Sequence, residues 1–312
     1  GGRSALKYGL TYPEKFFALL LNTPAVQGIA DVSNAPVKGE LVQLPHTWRT
    51  ITHTAKKRAY PAVVTEILGQ MTAACTLLSA NLKFDGSMIM QIHGDGPIQL
   101  LVVECRSDLT IRATAKVAEN ANIDAQMDLQ TLLNQNGNAR FAITLDPNER
   151  QPGQQPYQGI VPLHGETIAE ILMHDMSASE QLDTHIELAA NSHSCAGILL
   201  QKLPLHGGVQ NESQNLHVWD ELCSIVKTVG AEELLNTDAD TFMHRLFWQY
   251  PLEHSTEQNV QFGCTCSPQK VTDMLKMLGE DEASDMLSEQ NHVEVSCDFC
   301  GQAYELTAEQ VR

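Results

Sequence analysis

The chain has 312 residues, a formal net charge of −18 and 43% hydrophobic residues. This length and apolar content allow one large domain or two to three smaller ones. The negative charge argues against nucleic acid and anionic membranes as partners. The charge is uneven, because residues 211–262 carry two basic and nine acidic residues and residues 263–312 carry three and ten. The C-terminal third is therefore acidic and self-repelling.

The first 34 residues form a segment whose role the sequence does not define. Phe17, Leu20 and Leu21 are spaced to share one face of a helix, so we expect a surface helix or an arm packed on the main domain. The apolar run that contains them is six residues long, and no run in the chain reaches the roughly 18 apolar residues that span a membrane. The run also lacks a clear charged leader and a small-residue cleavage site.

Residues 35–210 show the mixture of strands and helices expected of a core domain. A strand is predicted from Val37 to Leu44, and the clearest helix runs from Ala62 to Ala80, where apolar residues recur on one stripe. Cys75 lies on that stripe and is interpreted as a buried, unreactive thiol. The other predicted elements are a helix at 167–174 and strands at 87–92, 98–105, 110–117, 140–145, 158–163, 184–189 and 196–203.

The segment His93-Gly-Asp-Gly-Pro97 is predicted to be a turn within an antiparallel meander. It superficially resembles a phosphate-binding loop but lacks the helix and the lysine that follow in such loops. The chain's histidines show no convincing metal-binding spacing, and no nucleotide fingerprint or Ser/His/Asp arrangement stands out. We therefore expect a protein that is not an enzyme.

Residues 211–262 are predicted to form amphipathic helices with little core of their own. We expect their apolar faces to lie on the main domain. The residues alone leave two interpretations open, an ordinary helical subdomain or a linker that can be released. The two apolar faces consist of Val218, Leu222, Ile225, Met243, Leu246 and Phe247.

Four of the eight cysteines lie near the C-terminus in two close pairs, Cys264-Thr-Cys266 and Cys297-Asp-Phe-Cys300. Two pairs at these spacings suit a tetrahedral Zn²⁺ held by four thiolates. A closed shell of four thiolates leaves no position for water or substrate, so we predict one structural or regulatory zinc ion per chain. Cysteines used as metal ligands are typical of a reducing compartment.

The residues around these pairs predict a small metal-dependent domain at 263–312. Ser267 and Pro268 are typical of a helix start, and a second short helix is predicted at 283–287. Val293 and Val295 alternate with polar residues, as in a strand, and 303–306 is the predicted return strand. About 50 residues with so few large apolar groups form a poor core. We therefore expect this domain to unfold when its metal is lost.

The cysteine pattern resembles that of the heat shock protein 33 family, whose zinc motif is Cys-x-Cys, about thirty residues, and Cys-x-x-Cys near the C-terminus. The likeness covers roughly residues 35–312. Besides the cysteines, it is carried by Val37-Lys-Gly-Glu-Leu41, Leu82-Lys-Phe-Asp-Gly86, His93-Gly-Asp-Gly-Pro97, Tyr157-Gln-Gly-Ile160 and Gly197-Ile-Leu-Leu-Gln201.

The resemblance implies an α+β protein with an antiparallel-sheet core domain (35–210), a metastable helical linker (211–262) and a C-terminal zinc domain (263–312). It implies a redox-regulated, ATP-independent holdase chaperone of the bacterial cytosol. In this family pattern, oxidation forms the disulfides Cys264–Cys266 and Cys297–Cys300, zinc is released and the C-terminal region unfolds. Apolar surface then binds unfolding client proteins. The family also implies a reduced monomer and an active homodimer.

Three other functions fit parts of the pattern. An adaptor or enzyme with a permanent structural zinc is one. A thiol–disulfide oxidoreductase using Cys297 and Cys300 is another, but Gly301 and a strand-like run follow this motif where a helix is expected. A zinc ribbon that binds nucleic acid is the third, and the acidity of 263–312 opposes it.

Overall fold

The computed structural model describes residues 15–21, 37–54, 60–82, 84–150, 153–179, 181–202, 212–250, 252–254, 258–278 and 292–307. The strands are β1 (Lys15–Leu21), β2 (Val37–Gln43), β3 (Gly86–His93), β4 (Ile98–Arg106), β5 (Thr110–Val117), β6 (Arg140–Pro147), β7 (Tyr157–Val161), β8 (Thr184–Ala190), β9 (Cys195–Lys202), β10 (Leu252–His254), β11 (Gln258–Asn259), β12 (Gln261–Phe262), β13 (His292–Ser296) and β14 (Ala303–Thr307). The helices are α1 (Pro45–Thr54), α2 (Ala62–Asn81), α3 (Leu129–Leu133), α4 (Ile168–Ser179), α5 (Glu212–Val226), α6 (Ala231–Asn236), α7 (Ala239–Phe247) and α8 (Pro268–Leu278).

The strands form three sheets, and the predicted α+β class with antiparallel sheets is confirmed. Sheet 1 has the order β10-β1-β2-β9-β8, with β11 also paired to β1. Sheet 2 has the order β12-β5-β4-β3-β6-β7, and sheet 3 is the hairpin β13-β14. The pairing of β12 with β5 is parallel, whereas the predicted meander β3-β4-β5 is antiparallel throughout.

The core lies where α2 packs against both large sheets. The predicted helix is present, but it is buried on more than the single predicted stripe, because Ala73, Ala74 and Leu77 are buried as well. A helix between two sheets must be apolar on both sides. Gly69 shows how closely α2 approaches sheet 1, since a Cβ added there would lie 2.5 Å from the Cβ of Ala190.

The length and apolar composition of Ala62–Ala80 would also allow this stretch to cross a membrane. Most of it is buried between the two sheets, which is the arrangement of a core helix. Within the described residues, no other helix meets the same criteria of length and composition.

Sheet 1 is covered on its other face by the acidic helices α5, α6 and α7. Alternate residues of one strand serve the two faces, so that Leu41 faces these helices and Val42 faces the central core. All six residues from Cys195 to Leu200 are buried for the same reason. The side-chain amide of Gln43 also donates hydrogen bonds to the carbonyl oxygens of Leu234 and Thr237, at 2.9 and 2.8 Å.

Helix α1, which the sequence analysis did not predict, lies at the edge of the core. Trp48 is buried, and its indole N–H donates to the carbonyl oxygen of Asn191 at 2.7 Å. This anchor brings the end of the helix, Thr54, to the C-terminal cysteines. Its hydroxyl lies 3.4 Å from the carbonyl oxygen of Phe299.

Of the two expectations for the segment around Phe17, the helix is wrong, because Lys15–Leu21 forms strand β1 of sheet 1, whereas an arm packed on the main domain agrees with this position. This strand pairs with β2, where Phe17 stands opposite Leu41, and with β10, where Leu20 stands opposite Glu253. A short continuous apolar run fits a buried strand as well as a helix. Here partners distant in sequence decide between the two. The predicted helix at 283–287 lies outside the described residues.

The close approach of α2 to sheet 1 at Gly69 leads to a prediction for the stability of the core. Substitution Gly69→Ala should lower the free energy of unfolding by about 1–3 kcal/mol, because the added methyl group overlaps Ala190 in a packed core. Urea unfolding followed by circular dichroism measures this change. Glu66→Ala, at an exposed position of the same helix, serves as the control and should change stability by less than about 0.5 kcal/mol. Equal stability of the two variants would contradict the packing described here.

Candidate metal centre

The first cysteine pair is positioned by the edge of sheet 2. Strand β12 runs parallel to β5, and the N–H of Gly263 donates to the carbonyl oxygen of Ile111 at 3.2 Å. Cys264 and Cys266 follow immediately. Ser267 then accepts a hydrogen bond from the N–H of Lys270 at 3.2 Å, which confirms the predicted helix start. The pair is thus fixed between a strand and a capped helix.

The second pair lies in the tight turn that joins β13 to β14. The N–H of Gly301 donates to the carbonyl oxygen of Cys297 at 2.8 Å, and the N–H of Cys297 donates to that of Gln302 at 2.9 Å. Gly301 has a φ of +70°, a conformation that glycine adopts without a steric penalty. This turn brings Cys297 and Cys300 to one side of the hairpin.

The structure brings all four predicted cysteines together. Their sulfur atoms lie within 4.8 Å of one another, and all four residues are half-buried. Cys264 Sγ is 3.6 Å from Cys297 Sγ, and Cys266 Sγ is 3.3 Å from Cys300 Sγ. A tetrahedral zinc with Zn–S bonds of about 2.3 Å separates its sulfur ligands by roughly 3.8 Å. The donor set and its spacing therefore fit a tetrahedral, thiophilic ion.

The thiols do not ionise equally in this cluster. Burial opposes ionisation of Cys264, but hydrogen bonds from Cys266 and the Arg112 guanidinium outweigh it and lower the Cys264 pKa to about 7. Burial raises the pKa of Cys297, and the hydrogen bond with Cys264 adds to this increase while hydrogen bonds with Cys300 oppose it. Burial also raises the pKa of Cys300, and hydrogen bonding to the other three cysteines adds to it. Four thiolates at this spacing need a bound cation to offset their mutual repulsion.

Tyr304 on β14 supports the cluster from outside. Its hydroxyl donates to Cys266 Sγ at 3.0 Å, and this hydrogen bond, together with burial, raises the Tyr304 pKa to about 12. A hydrogen bond to a metal-bound thiolate orients the ligand and reduces its charge. Sequence reasoning placed this residue on a strand without assigning it a role. Tyr304 lies two positions from Leu306, so the alternation along the strand places both on one face, where both pack in the same small cluster, and this was the available signal.

Arg112 on β5 also contacts the cluster and was missed by the sequence analysis. Its Nη1 is 3.6 Å from Cys264 Sγ, and its guanidinium carbon lies 4.2 Å from the ring centroid of Phe299. It also forms an ion pair with Glu104 on the adjacent strand. No local sequence pattern predicts this contact, because Arg112 and Cys264 are 152 positions apart.

The described residues 263–278 and 292–307, termed the cysteine module below, have a very small core of their own. Its buried apolar residues are Val271, Leu275, Val293 and Leu306. Such a core is too small to stabilise an independent domain without a further cross-link.

The other four cysteines lie outside this cluster. Cys75, Cys105, Cys195 and Cys223 are buried. Burial raises the pKa of Cys105 to about 12 and that of Cys223 to about 11, and it raises the pKa of Cys75 well above its usual value. The interpretation of Cys75 as a buried thiol agrees with this position.

The six apolar residues predicted for the acidic helices face sheet 1 to different degrees. Leu222, Met243 and Phe247 are buried in the contact with the sheet, and the other three lie partly buried at its margin. Phe242, which the sequence analysis did not include, is also fully buried there. The sheet contributes Val37, Leu41, Ala189, Ala196, Ile198 and Leu200.

Comparison with known proteins agrees with this fold and this cluster. Residues 29–307 match the family described as Hsp33 protein. A 33 kDa chaperonin of Chromobacterium violaceum is 43% identical over 271 residues, covering 86% of each chain. One from Methylobacillus flagellatus is 40% identical over 282 residues, covering 89% of this chain and 91% of that one.

A crystal structure of the 33 kDa chaperonin from Thermotoga maritima has the same fold. The TM-score is 0.70 at 17% identity, with 96% of this chain and 97% of that one covered. Fold and site together define an α+β protein with a C-terminal four-cysteine cluster. The chain belongs to the heat shock protein 33 family.

The cysteine cluster leads to a prediction for the stoichiometry and affinity of metal binding. The reduced chain should bind one zinc ion, and Cys297→Ser should weaken binding strongly because serine replaces a thiolate with a poor ligand. Competition with a colorimetric chelator measures the affinity, and elemental analysis the stoichiometry. Cys75→Ser, which changes a core cysteine outside the cluster, is the control and should leave zinc binding unchanged. Unaltered affinity in Cys297→Ser would refute the ligand assignment.

Proposed function

We propose that this chain is an ATP-independent holdase chaperone that is activated by oxidation. The observation that carries the proposal is that four cysteine thiols lie within 4.8 Å of one another. They come from two pairs that are separated by at least 31 positions in the sequence. The relatives' name, 33 kDa chaperonin, supports the chaperone part. The proposed regulation rests on the chemistry of the sulfur cluster.

In the reduced state the proposed ligands of one Zn²⁺ are Cys264, Cys266, Cys297 and Cys300. Bound zinc offsets the charge of the thiolates and cross-links the two halves of the cysteine module. Tyr304 holds the sulfur of Cys266 through its hydrogen bond. The module then stays folded despite its small core.

Oxidation by a peroxide converts the four thiolates to two disulfides. Each disulfide forms when two thiolates give up two electrons, which with two protons reduce one peroxide molecule to two waters. The proposed pairs are Cys264–Cys266 and Cys297–Cys300. The sulfur positions alone do not select these pairs, because all four atoms lie within 4.8 Å of one another and the short contacts of 3.6 and 3.3 Å join Cys264 to Cys297 and Cys266 to Cys300. The pairing within each motif follows the family pattern. The module then loses its metal cross-link, and we propose that it unfolds.

The proposed binding surface for client proteins is on sheet 1. We propose that residues 35–210 form the core domain, 211–262 a metastable linker and 263–312 the redox switch. Once the switch unfolds, α5–α7 lose their C-terminal anchor and can leave the apolar face formed by residues such as Leu41 and Ile198. That face, together with the apolar sides of the helices, would bind unfolding client proteins.

The remaining features of the proposal follow the family pattern. We propose a homodimer when oxidised, a cytoplasmic location and no catalytic activity. The net charge of −18 supports the absence of nucleic acid and membrane partners.

A permanent structural zinc site in an adaptor or enzyme is the second candidate. The hydrogen bond from Tyr304 to Cys266 favours it, because such support stabilises a metal ligand. In that case peroxide at concentrations that oxidise exposed thiols would leave the zinc bound. An oxidoreductase is less well supported, since Cys297 has a raised pKa and lies in a turn between strands.

The proposed function predicts different chaperone activities for the reduced and the oxidised protein. Oxidised, zinc-free chain should suppress aggregation of a chemically unfolded client without ATP, and reduced, zinc-loaded chain should do so at least tenfold less effectively. Light scattering measures aggregation. Peptide mass spectrometry after cleavage at Lys270 and Lys276 should show disulfides within each cysteine pair and not between pairs. Equal suppression by both forms would refute redox activation.

The role of the linker in regulation can be tested at the margin of its contact with sheet 1. Leu246→Asp removes a partly buried apolar group and adds charge to an acidic segment, so the reduced chain should already suppress aggregation. His244→Asp is the matched control, because it adds the same charge at an exposed position of α7. If Leu246→Asp stays folded and as inactive as the control until oxidised, docking of these helices does not regulate client binding.

A further inference from the structure

Arg112 links the cysteine module to sheet 2 through the sulfur of Cys264. Its Nη1 is 3.6 Å from that sulfur, and its guanidinium carbon lies 4.2 Å from the ring centroid of Phe299, which sits between the second pair of cysteines. We propose that Arg112 is a positioning residue that holds the module on sheet 2 while Cys264 is a thiolate and loses this hold when Cys264 enters a disulfide. This inference rests on the redox function proposed above.

The guanidinium of Arg112 is oriented by contacts within sheet 2, independently of the module. Its Nε donates to Glu104 Oε2 at 2.9 Å, and its Nη2 contacts the same oxygen. The side chains of Arg112 and Glu104 are only 18% and 14% exposed. Glu104 stands opposite Arg112 on the neighbouring strand, so the pair is fixed by the register of sheet 2. Nη1 therefore remains directed at Cys264 without further loss of side-chain freedom.

The contact with Cys264 depends on the oxidation state of the sulfur. A thiolate accepts a charge-assisted hydrogen bond, which is roughly twice as strong as a neutral one. A disulfide sulfur carries no charge and accepts weakly. Oxidation of the thiolates therefore also removes the negative partner of Arg112 that lies on the module, while its other negative partner, Glu104, stays on sheet 2. Its interaction with the Phe299 ring does not compensate, because that interaction is present in both states until the module leaves.

Other contacts across the same interface do not involve sulfur. The hydroxyl of Thr114 donates to the carbonyl oxygen of Asp298 at 3.0 Å, and the hydroxyl of Thr54 donates to that of Phe299 at 3.4 Å. These neutral hydrogen bonds stabilise docking independently of charge. Among the described contacts between the module and the core, the one from Arg112 to Cys264 responds to oxidation, whereas these neutral ones do not.

The test uses the full-length, reduced, zinc-loaded chain. In Arg112→Met/Glu104→Gln the ion pair is removed as a unit, so that no half-buried carboxylate is left unpaired. Hydrogen exchange should become roughly tenfold faster or more at Gly263, whose N–H donates to the carbonyl oxygen of Ile111 on β5. Zinc content should stay at one ion per chain. Arg140→Gln, an exposed arginine on β6, is the control and should exchange like the unmodified chain.

Salt dependence separates the charged contact from the neutral ones. Raising the salt from 0.05 to 1 M should speed exchange at Gly263 in the unmodified chain and in Thr114→Val, because the thiolate–guanidinium attraction is screened. The Arg112→Met/Glu104→Gln variant should show no such dependence. If this variant fails to bind zinc, Arg112→Lys decides the question, since it keeps the charge and loses the fixed fork of donors. It should then show a smaller increase in exchange with the salt dependence retained.

The outcomes distinguish this inference from the proposed function. If the unmodified chain releases zinc and becomes active on oxidation, but the zinc-loaded Arg112 variants exchange like the unmodified chain, the role of Arg112 is refuted and the redox function stands. If the unmodified chain neither releases zinc nor becomes active, the redox function is refuted and this inference with it.

Discussion

The mutual repulsion of four sulfur atoms within 4.8 Å is the constraint on which the C-terminal region depends. The cluster favours one low-pKa thiol, Cys264, and disfavours further ionisation at Cys297 and Cys300. A thiophilic cation reverses this preference, because it attracts all four thiolates at once. The module's own apolar core is too small to replace that attraction. We therefore propose that folding of this region is tied to the redox and metal state of four side chains.

We propose that the docking of the acidic helices on sheet 1 is also close to energetic balance. Leu222, Phe242 and Phe247 are fully buried against sheet 1, and each such side chain contributes roughly 1.5–3 kcal/mol. Opposing this are the seven net negative charges of residues 211–262 beside an equally charged segment, although salt screens part of their repulsion. The hydrogen bonds from Gln43 add a directional contact to the apolar one. The contact between α5–α7 and sheet 1 can therefore be stable while the cysteine module is folded and become weak once the module unfolds.

Much of the fold could be predicted from the residues because its signals are local. Alternation identified the meander, and an apolar stripe identified α2, whose first residue, Ala62, matches the prediction. The cysteine spacing likewise predicted a cluster whose members are brought together by a capped helix and by a turn with a positive φ at Gly301. Each of these elements is specified by residues within a few positions of one another.

What could not be predicted depends on partners distant in sequence. Phe17 belongs to a strand because β2 and β10 flank it, and its own run of apolar residues does not reveal this. The second buried face of α2 exists because two sheets enclose the helix. Arg112 resembles any charged residue on a strand until the fold places Cys264 beside it. Such residues have roles that only tertiary contacts define.

The central claim is that the state of the four sulfurs controls whether α5–α7 remain on sheet 1. Hydrogen exchange of one sample before and after peroxide treatment, with zinc and free thiols counted on the same sample, tests it most directly. The account predicts that loss of four thiols and one zinc speeds exchange in residues 212–250 at least tenfold and leaves α2 as protected as before. Loss of the thiols and the zinc with unchanged protection of residues 212–250 would contradict it.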